Sequence, residues 1–206
     1  MRTETLSRAA SLAVLAAAAV MVTACESAGD PAPPTAASGA AKPGAPEVAR
    51  IGAAGSACDM PVTFGLAASW KPKAVTITPD DPLADLARKG PLTMVCEIDA
   101  KPSGAIGFLR VWTGDKAELR STLQAFIGTG AREPAFTDLR INDRPAVEVV
   151  YQEKSQADDE LEQERAFAVE TTSGVAAVSL DSFDSEEHKA MLPAYELAKA
   201  SLTVTR

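Results

Sequence analysis

The strongest constraint on the fold is a stretch of regular alternation at residues 92–99. Its apolar positions are Leu92, Met94, Cys96 and Ile98. A period of two is typical of a β-strand that turns one face to a core. A turn at residues 101–104 follows, and residues 105–113 have the composition of a second strand. We therefore predict a β-hairpin, with the four apolar side chains of its first strand on one face.

A helix is predicted over residues 115–128. Asp115 and Glu118 are spaced as in a capping box, where the first side chain accepts from the third helical N–H. Apolar residues then recur at helical spacing: Leu119, Leu123, Phe126 and Ile127. Gly128 or Gly130 ends the helix. An apolar stripe on one side of a helix requires a sheet or another helix to cover it.

The second half of the chain repeats this design of strands followed by a helix. Four strands are predicted, at residues 136–141, 146–152, 164–171 and 175–182. Asp184 and Glu187 begin a last helix, which Pro193 must kink or restart because proline has no backbone N–H. Residues 202–204 form a terminal strand. Sequential strands with interspersed helices favour an α+β fold, an antiparallel sheet with helices packed on it.

The N-terminus has the layout of a secretory signal. Arg2 and Arg8 precede residues 9–24, an apolar run that ends on small residues and is short for a membrane span. Residues 22–25, Val-Thr-Ala-Cys, resemble the lipobox of bacterial lipoproteins. The resemblance implies that Cys25 receives a diacylglyceryl group, becomes the new N-terminus and carries fatty acyl chains such as palmitate. The alternative is an ordinary signal peptide that leaves Cys25 as a free thiol.

Three segments follow from this leader. We predict a signal peptide at 1–24, a lipidated Cys25 with a disordered tether at 25–56, and one globular domain at 57–206. The tether is rich in Pro, Ala and Gly and has no aromatic residue, so it cannot bury enough apolar surface to fold. Because two or more acyl chains give stable attachment, the domain is expected to be anchored at the extracytoplasmic face of the cell membrane.

The charge of the chain excludes some partners. The formal net charge is −8, and loss of Arg2, Arg8 and Glu4 with the leader changes it to −9. An acidic surface argues against nucleic acid and anionic lipid head groups as partners. The membrane partner is therefore reached through the lipid on Cys25, and an envelope protein or a small ligand remains possible.

Cys58 and Cys96 remain once Cys25 is assigned to lipid. Two cysteines in an exported chain most simply pair with each other. A disulfide across this loop would stabilise the domain by ~4 kcal/mol in the chain-entropy model. No metal site is expected from two cysteines without histidine partners.

The start of the domain brings a second resemblance. A Phe-Gly-Leu stretch at 64–66 leads to Ser69-Trp70, and hairpins then alternate with two amphipathic helices. This order resembles the PsbP-like group, which includes the LpqN-type lipoproteins of actinobacteria, over residues 58–206. The resemblance implies an α/β/α sandwich around an antiparallel sheet. It also implies a non-enzymatic accessory or binding role, with no catalytic residue and no cofactor.

Candidates for catalysis are few. His188 is the one histidine, and no Gly-x-Ser-x-Gly turn accompanies it, so we expect a solvated helix position. The acidic run, in the loop at 156–162 and continuing to Glu164, lacks the glycine of an EF-hand loop. We expect a solvated loop there, with weak cation binding as the alternative. Glu148, Glu170 and Asp181 alternate with apolar residues on strands and are expected to face solvent, although a carboxylate pair for glycoside hydrolysis stays open.

The two tryptophans are the remaining candidates. Trp70 lies between predicted strands at 62–64 and 74–78, ahead of a short helix predicted at 81–90. It is a possible partner-binding anchor, and a core contact under its loop is the alternative. Trp112 is expected to pack against a helix.

These patterns predict a membrane-anchored lipoprotein whose domain is a non-enzymatic binding or accessory module of the cell envelope. Its ligand would be a protein or a small apolar molecule. The alternatives are an envelope hydrolase or carbohydrate-active enzyme with a non-obvious carboxylate site, and a purely structural component. A concave pocket between the sheet and the helix at 115–128 would favour ligand binding.

Overall fold

The computed structural model describes residues 45–78, 84–155 and 160–205, all within one compact unit, Ala40–Arg206. The predicted signal peptide, Cys25 and most of the predicted tether lie outside the described residues. So do residues 156–159 of the acidic run and the predicted start of the short helix at 81–83.

Eleven strands and two helices form the described fold. The strands are β1 (Glu47–Ile51), β2 (Val62–Ala67), β3 (Lys71–Ala74), β4 (Arg88–Lys89), β5 (Leu92–Asp99), β6 (Gly107–Gly114), β7 (Arg132–Ile141), β8 (Arg144–Lys154), β9 (Leu161–Glu170), β10 (Val175–Ser182) and β11 (Thr203–Val204). The helices are α1 (Leu119–Ile127) and α2 (Ser185–Ser201), and short 3₁₀ turns lie at Ala84–Ala87 and Lys101–Ser103.

All the paired strands run antiparallel. The large sheet has the order β3-β5-β6-β10-β9-β8-β7, with β4 also paired to β5, and a small sheet has the order β1-β2-β11. Two helices packed on a mainly antiparallel sheet confirm the predicted α+β class.

The large sheet has a core on each side, because successive residues of a strand point to opposite faces. On the side that we call the α2 face, buried side chains such as Phe167, Val178 and Leu180 pack in one cluster with Tyr195 of α2. On the other side, the α1 face, Val149, Ala166 and Ala177 pack in a second cluster with Leu123 of α1.

The alternating stretch forms β5 as predicted, but its apolar side chains do not share one face. Leu92 and Met94 belong to the core of the α1 face, whereas Cys96 and Ile98 belong to that of the α2 face. The register against β6 shifts between Met94 and Cys96. A β-bulge of this kind inserts one residue and turns the rest of the strand over, so the prediction of a single apolar face is wrong.

The domain begins before the predicted boundary at residue 57. Residues 47–51 form β1, which pairs with β2 and buries Ile51 to 4% exposure. The composition of this segment predicted a tether because it has few apolar side chains. A strand that gains backbone hydrogen bonds from a neighbour needs only one buried anchor, so the prediction of disorder is wrong for residues 47–56.

The predicted disulfide joins Cys58 to Cys96, with their Cα atoms 5.9 Å apart. Both half-cystines are buried in the core of the α2 face. The bond ties the segment between β1 and β2 to the centre of β5.

The helix ends agree with the predictions in part. Asp184 caps α2, since its carboxylate accepts from the backbone N–H groups of Glu186 and Glu187. α1 begins at Leu119, and the cap is Glu118, not Asp115, because the Glu118 carboxylate itself accepts from the next free N–H groups. α2 runs through Pro193 as one helix, so the proline does not restart it.

The segment before β5 differs more from the predictions. β3 lies at Lys71–Ala74, earlier than the strand predicted at 74–78, since these residues pair with β5. The described part of the short helix is the single 3₁₀ turn Ala84–Ala87, followed directly by β4. Among the described residues, no helix is long and apolar enough to cross a bilayer.

Candidate functional site

A cleft of about 660 Å³ opens on the α1 face of the large sheet. α1 packs over β8 and β9 and leaves another part of this face uncovered. Met94 and Trp112 line the apolar part of the cleft, and Leu86 and Phe183 stand at it with 74% and 57% of their surface exposed. Charged side chains from six strands of the sheet line the rest. Apolar and charged side chains therefore line the same cleft.

Asp181 is held by a chain of hydrogen bonds across the cleft wall. The indole N–H of Trp112 donates to Ser179 Oγ at 3.0 Å, and the Ser179 hydroxyl donates to Asp181 Oδ2 at 2.8 Å. Arg110 lies 3.4 Å from the same carboxylate oxygen, and Lys89 Nζ lies 3.7 Å from the other. Both oxygens of Asp181 are therefore occupied.

The two cations at Asp181 are themselves fixed. Arg110 donates from Nε to Glu97 Oε2 at 2.9 Å, and its guanidinium lies over the ring of Phe108. Lys89 Nζ lies 5.3 Å from the ring centre of Phe126 in α1. Cations over aromatic faces gain electrostatic attraction from the ring quadrupole.

Gly90 explains why β4 can lie so close to α1. Its φ is +57°, a left-handed conformation that favours glycine. A Cβ at this position would lie 2.7 Å from the backbone carbonyl carbon of Ala125. The absence of a side chain at residue 90 thus lets the neighbouring Lys89 reach the cleft.

Glu164 is the exceptional residue of the cleft. It is only 9% exposed, and its Oε2 atom is buried without a hydrogen-bond partner among the described residues. Burial, and then the nearby charge of Asp181, raise the pKa of the Glu164 carboxyl to about 9, although Lys89 opposes this shift. At neutral pH the carboxyl is therefore protonated.

The neighbours of Glu164 on the sheet are an aromatic ring and more carboxylates. Tyr151 of β8 lies directly across from Glu164, and Glu153 lies directly across from Glu162. Burial, together with the charge of Glu164, raises the pKa of the Tyr151 hydroxyl far above its usual range. Like charges directly opposite on neighbouring strands are destabilising, so the sheet is not optimised for stability at this point.

Three predicted site residues are placed differently from the expectation. Trp70 is 6% exposed within the core of the α2 face, so it is not a surface anchor and the core alternative is correct. Asp181 lines the cleft and Glu148 lies beneath α2, where Lys199 and Tyr195 contact it. The expectation that these carboxylates face solvent is wrong for both, because helix and cleft residues cover them. Glu170 is exposed as expected.

His188 is buried to 2% exposure and is not solvated. Arg165 donates to its Nε2 at 3.1 Å, so the ring proton is on Nδ1 and faces Ser182 Oγ at 3.3 Å. Burial, and then the charge of Arg165, lower the pKa of His188 to about 4. The ring is thus a neutral structural group at physiological pH.

Trp112 packs against a helix as predicted, edge-on to Phe126 of α1 with ring centres 5.2 Å apart. Of the acidic run, Glu162 belongs to β9 and lines the cleft. Glu164 was predicted to belong to the solvated acidic run, and this prediction is wrong because the residue is buried in β9. One signal could have identified it: Glu162 and Glu164 continue the period of two set by the buried Ala166 and Ala168.

The carboxylates of the cleft do not form a metal centre. Within residues 45–78, 84–155 and 160–205, no three His, Cys, Asp or Glu side chains are placed to hold one ion. What the geometry provides is a mixed cleft with an ion-pair cluster, a buried carboxyl whose Oε2 has no described partner, and an exposed apolar rim.

Comparison with known proteins identifies a family. A family model described as "Uncharacterised lipoprotein" matches residues 26–202. No curated protein matches the chain. Among solved structures, the chain is similar to the solution structure of cyanobacterial PsbP (CyanoP) from Synechocystis sp. PCC 6803, at 11% sequence identity and a TM-score of 0.47. The match covers 75% of this chain and 97% of that chain, and no functional residue is carried over from it.

Proposed function

Because this chain belongs to the family of uncharacterised lipoproteins, we propose that it is a lipid-anchored binding module on the extracytoplasmic face of the cell membrane. Its cleft on the α1 face holds a small molecule that has both an apolar and a polar part. The domain binds this ligand without transforming it.

The anchor is supported by the leader and the lipobox. The apolar run at residues 9–24 ends directly at Cys25, and the family match begins at residue 26. The net charge of the mature chain is negative, so an acidic membrane surface would repel the domain. Acyl chains on Cys25 therefore carry the attachment in this proposal.

The single observation that supports the binding role is the unpaired Glu164 carboxyl at the cleft. A buried polar atom without a partner costs about 1–3 kcal/mol, and such atoms are rare in native proteins. A ligand that hydrogen-bonds Glu164 would remove this cost. The terminal torsion of a glutamate is soft, so a small rotation can turn either oxygen toward a molecule in the cleft.

The contacts of Asp181 disfavour that carboxylate as the partner of Glu164 in a glycosidase pair. A retaining or inverting glycosidase needs one carboxylate free to act as nucleophile or base beside the acid. Asp181, the carboxylate next to Glu164, has both oxygens held by Ser179, Arg110 and Lys89. A purely structural role is also disfavoured, because it would not require a cleft with an exposed apolar rim.

Native mass spectrometry of the full-length protein, gently released from its own membrane, tests the proposal. We expect diacylglyceryl and acyl mass on Cys25 and, in addition, a stoichiometric non-covalent mass that is lost on activation. The double variant Leu86→Ala/Phe183→Ala should lose that mass, because both side chains are exposed and line the cleft.

The matched control is Ile106→Ala, which removes an equally exposed apolar side chain outside the cleft. It should retain the non-covalent mass. A wild-type protein that carries lipid on Cys25 but no other mass would contradict the binding role. A retained mass that survives the double variant would place the ligand elsewhere.

A further inference from the structure

We propose that the cleft binds an organic cation, the ammonium group of a small amphipathic amine, at Glu164 with Glu153 and Glu162 around it. This inference rests on the proposed function and names the chemical class of the ligand. The apolar part of the amine would lie against Met94 and Trp112.

Acidic side chains outnumber basic side chains in the lining of the cleft. Five acidic but only three basic side chains line it. Two of the basic residues, Lys89 and Arg110, already contact Asp181, and Arg110 also contacts Glu97. Between described residues, no ion pair involves Glu153, Glu162 or Glu164. The cleft therefore has an excess of carboxyl groups at one place.

The register of β8 and β9 brings three of these carboxyl groups together. Glu153 and Glu162 are directly opposed, and Glu164 follows Glu162 on the same face. Each of the three lines the cleft. Carboxylates opposed across a ladder repel each other, and a cation between them would remove the repulsion. Glu164 adds an independent sign of a ligand, since its Oε2 is buried without a partner.

The arrangement of the carboxyl groups suits an ammonium group better than a metal ion. The described carboxylates are not placed as a set of three ligands for one metal ion. An ammonium group tolerates longer and more varied geometry, since it needs only acceptors at hydrogen-bond distance. Aromatic and apolar side chains beside the carboxylates suit the organic part of such a cation. An anionic ligand would be repelled by the excess of carboxylates.

Binding would move a proton. Glu164 is protonated in the free protein, whereas a salt bridge with an ammonium requires the carboxylate. The ammonium keeps its protons, Glu164 loses its O–H proton to solvent, and one ion pair forms. The groups facing Glu164 are Asp181 from β10, Lys89 from β4, Glu153 and Tyr151 from β8, and Glu162 from β9. The other charged side chains that line the cleft are Glu97, Arg110 and Lys154.

Isothermal titration calorimetry of the full-length protein in phosphatidylcholine nanodiscs tests this inference, with empty nanodiscs subtracted. The probes are phenethylamine, phenethyl alcohol and phenylacetate, which share one ring and differ in charge. We expect phenethylamine to bind at least about tenfold more tightly than either of the others, as charged hydrogen bonds imply. Phenol red in unbuffered solution at pH 7.5 should report release of about one proton per amine bound.

Glu164→Gln should weaken phenethylamine binding about tenfold or more and abolish the proton release. Glu170→Gln is the matched control: it makes the same change on the same strand at an exposed position, and it should leave both readouts unchanged. Stronger binding of the alcohol or of phenylacetate would overturn the inference. So would an amine affinity that Glu164→Gln does not change.

Failure of this inference and failure of the proposed function can be told apart. If phenethylamine does not bind while the protein retains a non-covalent mass in native mass spectrometry, the cleft has a ligand of another class. If neither is observed, the binding role itself is wrong.

Discussion

Each face of the large sheet has a largely buried glutamate, which is paired on one face and has an unpaired oxygen on the other. On the α2 face, Glu148 accepts from Tyr195 at 2.9 Å and from Lys199 at 2.9 and 3.1 Å. On the α1 face, Glu164 has a buried oxygen without a partner. Both residues lie on strands that are paired on both sides. This difference supports a structural role for Glu148 and the proposed ligand-binding role for Glu164.

The α2 face continues this pattern of complete pairing. Lys199 also contacts Glu196 at 2.9 Å, and Arg165 reaches Glu196 at 3.7 Å. Arg165 in turn donates to His188. Among the described residues, the α2 face has no buried side-chain nitrogen or oxygen without a hydrogen-bond partner.

The largest expected effect comes from the disulfide, which lies within the core of the α2 face. Replacing Cys58 and Cys96 together by Ser should lower the free energy of unfolding by ~4 kcal/mol, because the closed loop restrains the unfolded chain. Chemical denaturation with and without a reductant measures this. A wild-type protein that is equally stable in both conditions would show that the bridge does not contribute.

Glu148→Gln should be the next most damaging change. It removes the carboxylate that Tyr195 and Lys199 both contact, while Lys199 keeps Glu196. Loss of hydrogen bonds to a charged group costs about 1.5–3 kcal/mol. Urea denaturation at pH 7 gives the value. A loss below ~0.5 kcal/mol, as for a surface pair, would break the contrast between the two faces.

Glu164→Gln should raise the free energy of unfolding, whereas Glu148→Gln should lower it. The folded pKa of about 9 lies above the ordinary value of 4.5, so the folded state binds the proton more tightly than the unfolded chain. Glu164 therefore lowers stability progressively as the pH rises from 4.5 to 9. The Gln variant should be more stable than the wild type by on the order of 2 kcal/mol at pH 8, and by much less at pH 5.

Thermal and urea unfolding of the two proteins at both pH values measure this effect. A Gln variant that is less stable than the wild type at pH 8 would mean that the Glu164 carboxylate is paired in solution. The distinction between the faces would then be lost.

The smallest expected effect concerns His188. Its folded pKa of about 4 lies below the ordinary 6.5, so its contribution is fully present above pH 6.5 and is lost as the pH falls toward 4. We expect the free energy of unfolding to fall by on the order of 1–2 kcal/mol over this pH window. The variant His188→Gln should lack this pH dependence. An NMR titration that finds an ordinary imidazole pKa would contradict the buried neutral ring.

The sequence predicts most of the fold because local patterns decide it. Alternation marked β5, the stripe from Leu119 to Ile127 marked α1, and Asp184 was identified as the cap of α2. The bulge after Met94 could not be predicted, because an extra residue leaves the alternating pattern intact while it turns the strand over. β1 was not predicted for a related reason, because its order depends on pairing with β2.

The cleft was predicted less well than the fold. A pocket between the sheet and the first long helix was named as the sign of a binding role, yet the carboxylates that line it were assigned to solvent. Only the pairing of β8 with β9 brings Glu153 opposite Glu162. Only burial separates Glu164 from its exposed neighbours on β9. Neither register nor burial can be read from residue types alone.

The most direct test of the contrast between the faces is the titration of the Glu164 side-chain carboxyl, followed by ¹³C NMR with Glu164→Gln for assignment. An unpaired, buried carboxyl predicts a midpoint near pH 9, and addition of phenethylamine should lower it well below 7 while phenethyl alcohol should not. A midpoint near the ordinary value of 4.5 in the free protein would contradict the assignment of this cleft as a ligand site.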